Sequence, residues 1–309
     1  MANFKGNYSK KNATMSTVMF RADSSSIMGT GHIMRDLVLA EQYSDAKIVF
    51  ATQELAGNIN HKIKEAGYNL EILKSNDFQE LDHLVKKLKI NVMVIDHYEI
   101  DYEFEKRLKL ENQKLKILSF DGSYKKHYCD ILLNHNIYAE AKRYKDLVPK
   151  ECELRCGSEY TLLRDEFYKE KEREREKKYD ILVVIGGADT LNLNIKILAL
   201  LPNTLKVVVV TTTANKYLSE LQDYVSETKI ILHINSSKIA KLMNESKFAI
   251  ITPSVTANEA YFMELDFIAI KTAKNQEEMY QFLKSKGYLV LEKFEKEKFE
   301  VALKKSNIK

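Results

Sequence analysis

The feature that most constrains this chain is an alternation of short apolar runs with amphipathic stretches, carried through twice. In the first half, VMFRA (18–22) opens the series. KIVFAT (47–52), NLEIL (69–73), NVMVID (91–96), LKILSFD (115–121) and DILLN (130–134) then read as strands. Between them, IMRDLVLAEQYS, NINHKIKEAG and FQELDHLVKKLK read as helices, the last ending in Lys as a helix C-terminus favours. In the second half DILVVIGG (180–187), LKVVVVTTT (205–213), KIILHI (229–234), FAIITP (248–253) and FIAIKT (267–272) repeat the pattern. Strand and helix in alternation argue for parallel sheets covered on both faces.

Between the halves, EFYKEKEREREKKYD (166–180) is a run of mixed charge with almost no apolar stripe. As a helix it would be solvated and held by i,i+4 pairs. The chain is therefore divided into a polar lead-in or tag over 1–17, a first domain over 18–165, a charged linker helix over 166–178 and a second domain over 179–309. With 309 residues, 45% of them hydrophobic, two ordinary cores can be buried. The expected fold is α/β, two doubly wound Rossmann-like domains facing across a cleft. In such sheets ligands sit beyond the carboxyl ends of the strands, which says which loops to read.

In the first half these ends carry Arg21, Asp23 and Ser24 to Ser26, then Asp96, His97 and Tyr98, then Asp121 and Gly122, then Asn134 and Asn136. Polar groups collected at one sheet edge suit a sugar, whose hydroxyls and amides demand paired donors and acceptors. Within Val18 to Ala40, the pair Gly29 and Gly31 precedes His32 at the mouth of a helix. The glycines permit tight backbone and leave room for a ligand. The positive helix end disfavours a proton on the adjacent imidazole, so His32 is expected neutral and able to act as a base. Asp23 and Asp96 are both candidates to orient it. In the second half Gly186 and Gly187 end a strand. TPSVTANEA (252–260) reads as a strand end, a small turn and a helix start. Ser254, Thr256 and the free N–H groups there suit a diphosphate, with Glu259 one turn in for ribose hydroxyls.

Other classes are disfavoured. A net charge of +4, from 48 basic and 44 acidic residues, is no argument for nucleic acid. No apolar run approaches the roughly 20 residues that span a bilayer, and the first 17 residues lack the apolar centre of a secretory signal. Three cysteines, Cys129, Cys152 and Cys156, form no disulfide framework, which fits a reducing cytoplasm. Neither G-x-x-x-x-G-K-[ST] nor G-x-G-x-x-G occurs, and no histidine pair has zinc spacing, so no cofactor and no metal are expected. His61 and His83 read as solvated helix residues, His97 as support for its neighbours, and His127, His135 and His233 as loop residues.

RADSSSIMGTGHIMRD, IDHY, the later GG-x-D and TPSVTANEA together resemble the UDP-sugar hydrolases of pseudaminic acid biosynthesis. The most specific part is R-x-D-x-x-x-x-x-G-x-G-H-x-x-R-D, Arg21 to Asp36; the T-x-N-E-A part is shared with glycosyltransferases of the MurG type. The resemblance implies a GT-B-like fold, with sugar bound by the first domain through Arg21, Asp23, Ser26, Gly31 and Tyr98, aided by Asn275. UDP would be bound by the second through Gly186, Gly187, Ser254, Thr256 and Glu259. It also implies metal-independent hydrolysis of a UDP-linked 2,4-diacetamido-2,4,6-trideoxy hexose, with inversion at the anomeric carbon and His32 as general base. The expected partner is this UDP-sugar alone, with no nucleic acid, no stable membrane association and a monomeric chain. The alternative is a MurG-like transferase.

Overall fold

The computed structural model describes residues 16–306 and 308. Up to residue 15 the expected lead-in lies outside the described residues, while Thr17 already belongs to the first strand. The chain divides into two compact units, Met1–Leu162 and Leu163–Lys309.

The first unit runs β1 (Thr17–Ala22), α1 (Gly31–Ala40), β2 (Lys47–Gln53), α2 (Asn60–Glu65), β3 (Asn69–Leu73) and α3 (Phe78–Lys87). It continues with β4 (Val92–Asp96), α4 (Tyr102–Glu111), β5 (Lys116–Phe120), β6 (Ile131–Asn134) and β7 (Glu153–Cys156). The seven strands are parallel in the order β3-β2-β1-β4-β5-β6-β7. Alternate residues of the central strands feed opposite faces, as the strand period requires. Phe20, Val92 and Val94 pack with Ile33 and Leu39 of α1 and Ile63 of α2. Met19, Met93 and Ile95 pack with Leu81 and Val85 of α3 and Leu108 of α4.

The second unit runs α5 (Asp165–Lys171), β8 (Tyr179–Val184), α6 (Leu193–Leu198), β9 (Val207–Thr211), α7 (Leu218–Ser226), β10 (Ile231–Ile234) and α8 (Ile239–Asn244). After these come β11 (Ser246–Ile251), α9 (Val255–Phe262), β12 (Phe267–Ile270), α10 (Glu277–Ser285), β13 (Leu289–Leu291) and α11 (Lys296–Lys305). Its parallel order is β10-β9-β8-β11-β12-β13. Both orders reverse direction once, between β1 and β4 in the first sheet and between β8 and β11 in the second. Loops leaving the two strands at such a reversal diverge to opposite faces and open a crevice at the carboxyl edge.

Two strands, β7 and β13, were not expected from the sequence. Each is a short sheet edge of mixed burial: ELRC mixes charged with apolar residues, and the apolar run LVL is only three residues long. The charged stretch also differs from expectation. Its helix ends at Lys171, buries Phe167 and Glu170, and is tied to α8 rather than left in solvent. Asn244 Nδ2 donates to the carbonyls of Glu170, at 2.7 Å, and Arg173, at 2.9 Å. Among the described residues no helix is long and apolar enough to cross a membrane.

Candidate active site

At the reversal in the first sheet, α1 begins one residue before His32, and β4 ends at Asp96. His32 is 5% exposed, and its Nδ1 lies 2.8 Å from the Asp96 carbonyl and 3.2 Å from Asp96 Oδ1. A carbonyl oxygen only accepts, so Nδ1 carries the hydrogen and Nε2 keeps its lone pair. Burial, foremost, holds the imidazole below its ordinary pKa; Asp96 opposes that shift and Arg35 reinforces it. The neutrality read from the helix start thus has desolvation as its principal cause. Tyr98 is 56% exposed and sets its ring edge-on to His32, centroids 4.8 Å apart.

The choice of orienting carboxylate falls on Asp96, because Asp23 is engaged elsewhere. Arg21 and Asp23 are both fully buried and joined through Nη1–Oδ1 at 2.8 Å and Nη2–Oδ2 at 2.7 Å. Arg21 also donates to Asn76 and to the Ala22 and Ala51 carbonyls, while Asp23 accepts from Gln53 N and lies 3.0 Å from His97 Nε2. The two side chains expected to meet substrate are therefore paired with one another rather than open to solvent. Sealed from solvent and engaged with one another and with their neighbours, they brace the loop. Ser26 and Gly31 are exposed, Gly31 immediately before His32 in the chain. Gly29 needs its left-handed φ of +86°, whereas Gly31 does not, and a Cβ at Gly31 would meet nothing within 4 Å.

Asp121 and Asn134 turn inward rather than outward, and the half-buried Asn136 donates its Nδ2–H to Asn134 Oδ1 at 3.0 Å. Tyr144 OH donates to Asp121 at 2.7 Å, and Asn134 Nδ2 donates to Tyr144 OH at 2.9 Å. His127 and His135, read as loop residues, are buried. His127 sits 2.8 Å from Glu105; that carboxylate and Asp121 outweigh burial and raise its pKa to about 9. Burial, reinforced by Arg35, lowers His135 to about 3.

Sequence reasoning missed Arg35 as a site residue. Its guanidinium grips both oxygens of Asp96, with Nε 2.5 Å from Oδ2 and Nη2 on Oδ1. Its spacing of i+3 from His32, which puts two side chains on one side of a helix, was the available signal.

In the second unit, Gly186 and Gly187 follow β8 and α9 follows its neighbour β11. Gly186 has a φ of +67°, and a Cβ on Gly187 would lie 2.9 Å from the Thr212 side chain, so both glycines also serve the turn itself. Ser254 is the N-cap of α9, but its hydroxyl pairs with Thr252 Oγ1 at 3.0 Å and caps no N–H of the helix. Thr256 lies in the first turn. Glu259 follows one turn later and accepts from Arg164 Nη2 at 3.3 Å. Burial pushes the Glu259 carboxyl up to about 7, against Arg164 and with Glu166. Asn275 is exposed in the turn after β12. Among the described residues no group of three or more His, Cys, Asp or Glu side chains is placed to hold a metal ion.

Two Rossmann-like units, each with its polar loops at the sheet reversal, define a two-domain α/β protein of the GT-B class. MurG of Acinetobacter baumannii has this fold, with a TM-score of 0.63 at 12% identity over 94% of this chain and 90% of that one. So does a UDP-glucosyltransferase from Polygonum tinctorium, with a TM-score of 0.65 at 10% identity over 95% and 90%. No protein-family model matches the chain. It is 46% identical over 278 residues, 90% of its length and 99% of the relative's, to the UDP-2,4-diacetamido-2,4,6-trideoxy-β-L-altropyranose hydrolase of Campylobacter jejuni, and it belongs to that hydrolase family. An uncharacterised protein of Methanocaldococcus jannaschii is 29% identical over 275 residues, 84% of this chain and 56% of that protein.

Proposed function

We propose that this enzyme hydrolyses a UDP-linked 2,4-diacetamido-2,4,6-trideoxy hexose to UDP and the free sugar, a step in making pseudaminic acid. The name of the 46% identical relative supports the substrate class. The observation that carries the mechanism is the His32 tautomer, with Nδ1–H on the Asp96 carbonyl and Nε2 free to accept. A water oxygen attacks the anomeric carbon from the face opposite the diphosphate. Its proton passes to Nε2, and the bond from that carbon to the β-phosphate oxygen breaks with its electron pair leaving on UDP. The Asp96 carboxylate, 3.2 Å from Nδ1, steadies the imidazolium so formed. Attack from the far face inverts the anomeric centre.

Tyr98 and Asn275 hold the sugar or the water. In the second unit the open N–H groups at the start of α9, with Ser254 and Thr256, meet the charge growing on the departing diphosphate. Gly186 and Gly187 let the backbone approach the nucleotide. Run in oxygen-18 water with no other acceptor present, the reaction is expected to release UDP and to place the label in the sugar. Label in UDP would mean attack at phosphorus, and UDP release that required an added sugar acceptor would mean a transferase.

Glu259 is the proposed ribose acceptor, and only its ionised form accepts in full. With its carboxyl raised to about 7, UDP affinity should weaken as pH falls from about 8 to 6. The terminal phosphate of UDP titrates near 6 as well, so the comparison is with Glu259→Gln. That variant should bind UDP about 10–100-fold less tightly at pH 8, the worth of a charged hydrogen bond, and lose part of the pH dependence. Calorimetry that found the same affinity and the same pH slope for both proteins would remove Glu259 from the ribose.

A further inference from the structure

Arg35 has a geometry that packing alone does not explain. Its guanidinium is 19% exposed, lies with Cζ 4.9 Å from the centre of the Phe120 ring, and closes a two-point fork on Asp96. The same Asp96 supplies both groups beside His32 Nδ1, its carbonyl at 2.8 Å and its carboxylate at 3.2 Å. We propose that Arg35 is a positioning residue for the hydrolysis: by clamping Asp96 it fixes the carbonyl that selects the His32 tautomer and shares the carboxylate that would otherwise hold a proton on the ring. The inference rests on the reading of His32 as the base.

The surrounding groups make this arithmetic simple. From α1, Arg35 and Asp36 face the cluster; from the end of β4 come Asp96, His97 and Tyr98, and from the end of β6 comes His135. Asp36 is fully buried, and neither of its oxygens has a hydrogen-bond partner among the described residues. Burial, and then the Asp96 charge, push the Asp36 carboxyl well up, against the pull of Arg35. His135 stays neutral for the same reason of burial. His97 is turned to Asp23, at 3.0 Å. The nearest charges to the imidazole are therefore Asp96, which favours a proton on the ring, and Arg35, which opposes it. Without Arg35 the carboxylate is left uncompensated and favours imidazolium, the form that cannot accept a proton.

The test uses the full chain with labelled histidine, in Arg35→Met and Arg35→Lys. The His32 resonances are titrated by NMR without substrate, and kcat/KM is followed against pH. In Arg35→Met the His32 midpoint should rise by about 1–3 units, the range for a close opposite charge. The ascending limb of kcat/KM should move up with it. Lysine keeps the charge but loses the fork. In Arg35→Lys the midpoint should therefore stay near that of the parent while kcat falls by roughly ten- to a hundredfold at unchanged KM. An unmoved midpoint in folded Arg35→Met would overturn the proposal, as would a displaced midpoint or an undiminished kcat in Arg35→Lys. The lysine variant carries the test alone if the methionine variant does not fold. The titration needs no turnover, so it reports on Arg35 even if His32→Asn shows that the base lies elsewhere.

Discussion

His32→Asn is expected to keep its fold and its affinity for UDP while kcat falls by about 10²–10⁴-fold, the usual worth of a positioned base. The asparagine amide can replace Nδ1–H on the Asp96 carbonyl, so the contact that holds the loop survives. Nothing in that side chain replaces Nε2. Steady-state kinetics paired with UDP calorimetry separates the two roles. Turnover within tenfold of the parent would remove His32 as the base, and a loss carried by UDP affinity would recast it as a binding residue.

The second large effect falls on stability rather than chemistry. Asp23→Ala leaves the Arg21 guanidinium at zero exposure with its counter-charge deleted. Stranding a buried ion costs about 3–5 kcal/mol, which for a unit of this size lowers Tm by about 6–20 °C. Scanning calorimetry should register that loss, while KM measured below the transition should be close to that of the parent. A KM effect with an unchanged Tm would return Asp23 to the substrate. The pH dependence has a definite sign. Burial raises the Asp23 carboxyl, but His97, Arg21 and the Gln53 N–H outweigh it and hold the group well below the ordinary range. Its stabilisation is thus present above the unfolded value of about 3.9 and is lost as pH falls below it.

Arg21 and Asp23 also show where reading the chain alone stops. Their place at a strand end was legible, and strand ends are where ligands bind. Their partners Asn76 and His97 lie 55 and 74 residues away, and only the folded sheet reveals that these partners take up the pair. The central strands were legible because VMF, VMVI and ILVV are buried on both faces and so are apolar without interruption. ELRC and LVL escaped notice because an edge strand is covered on one side and can be short and mixed. The charged run concealed its docking for a similar reason. The one deeply buried aromatic, Phe167, carries little periodicity, and the decisive bonds come from Asn244. His32 and its helix start were plain from the glycines, whereas the choice of Asp96 over Asp23 needed the register of β1 against β4.

Gly31 differs in one respect from Gly57 and Gly187, where an added methyl would strike Ser26 or Thr212. Its backbone is not left-handed and its missing side chain would touch no neighbour, so the fold itself makes no demand for glycine there. On the proposed mechanism, smallness at this position serves the visitor, not the host. It is therefore a natural dial for the bulk that the imidazole will admit, adjustable one carbon at a time while the scaffold stays as it is.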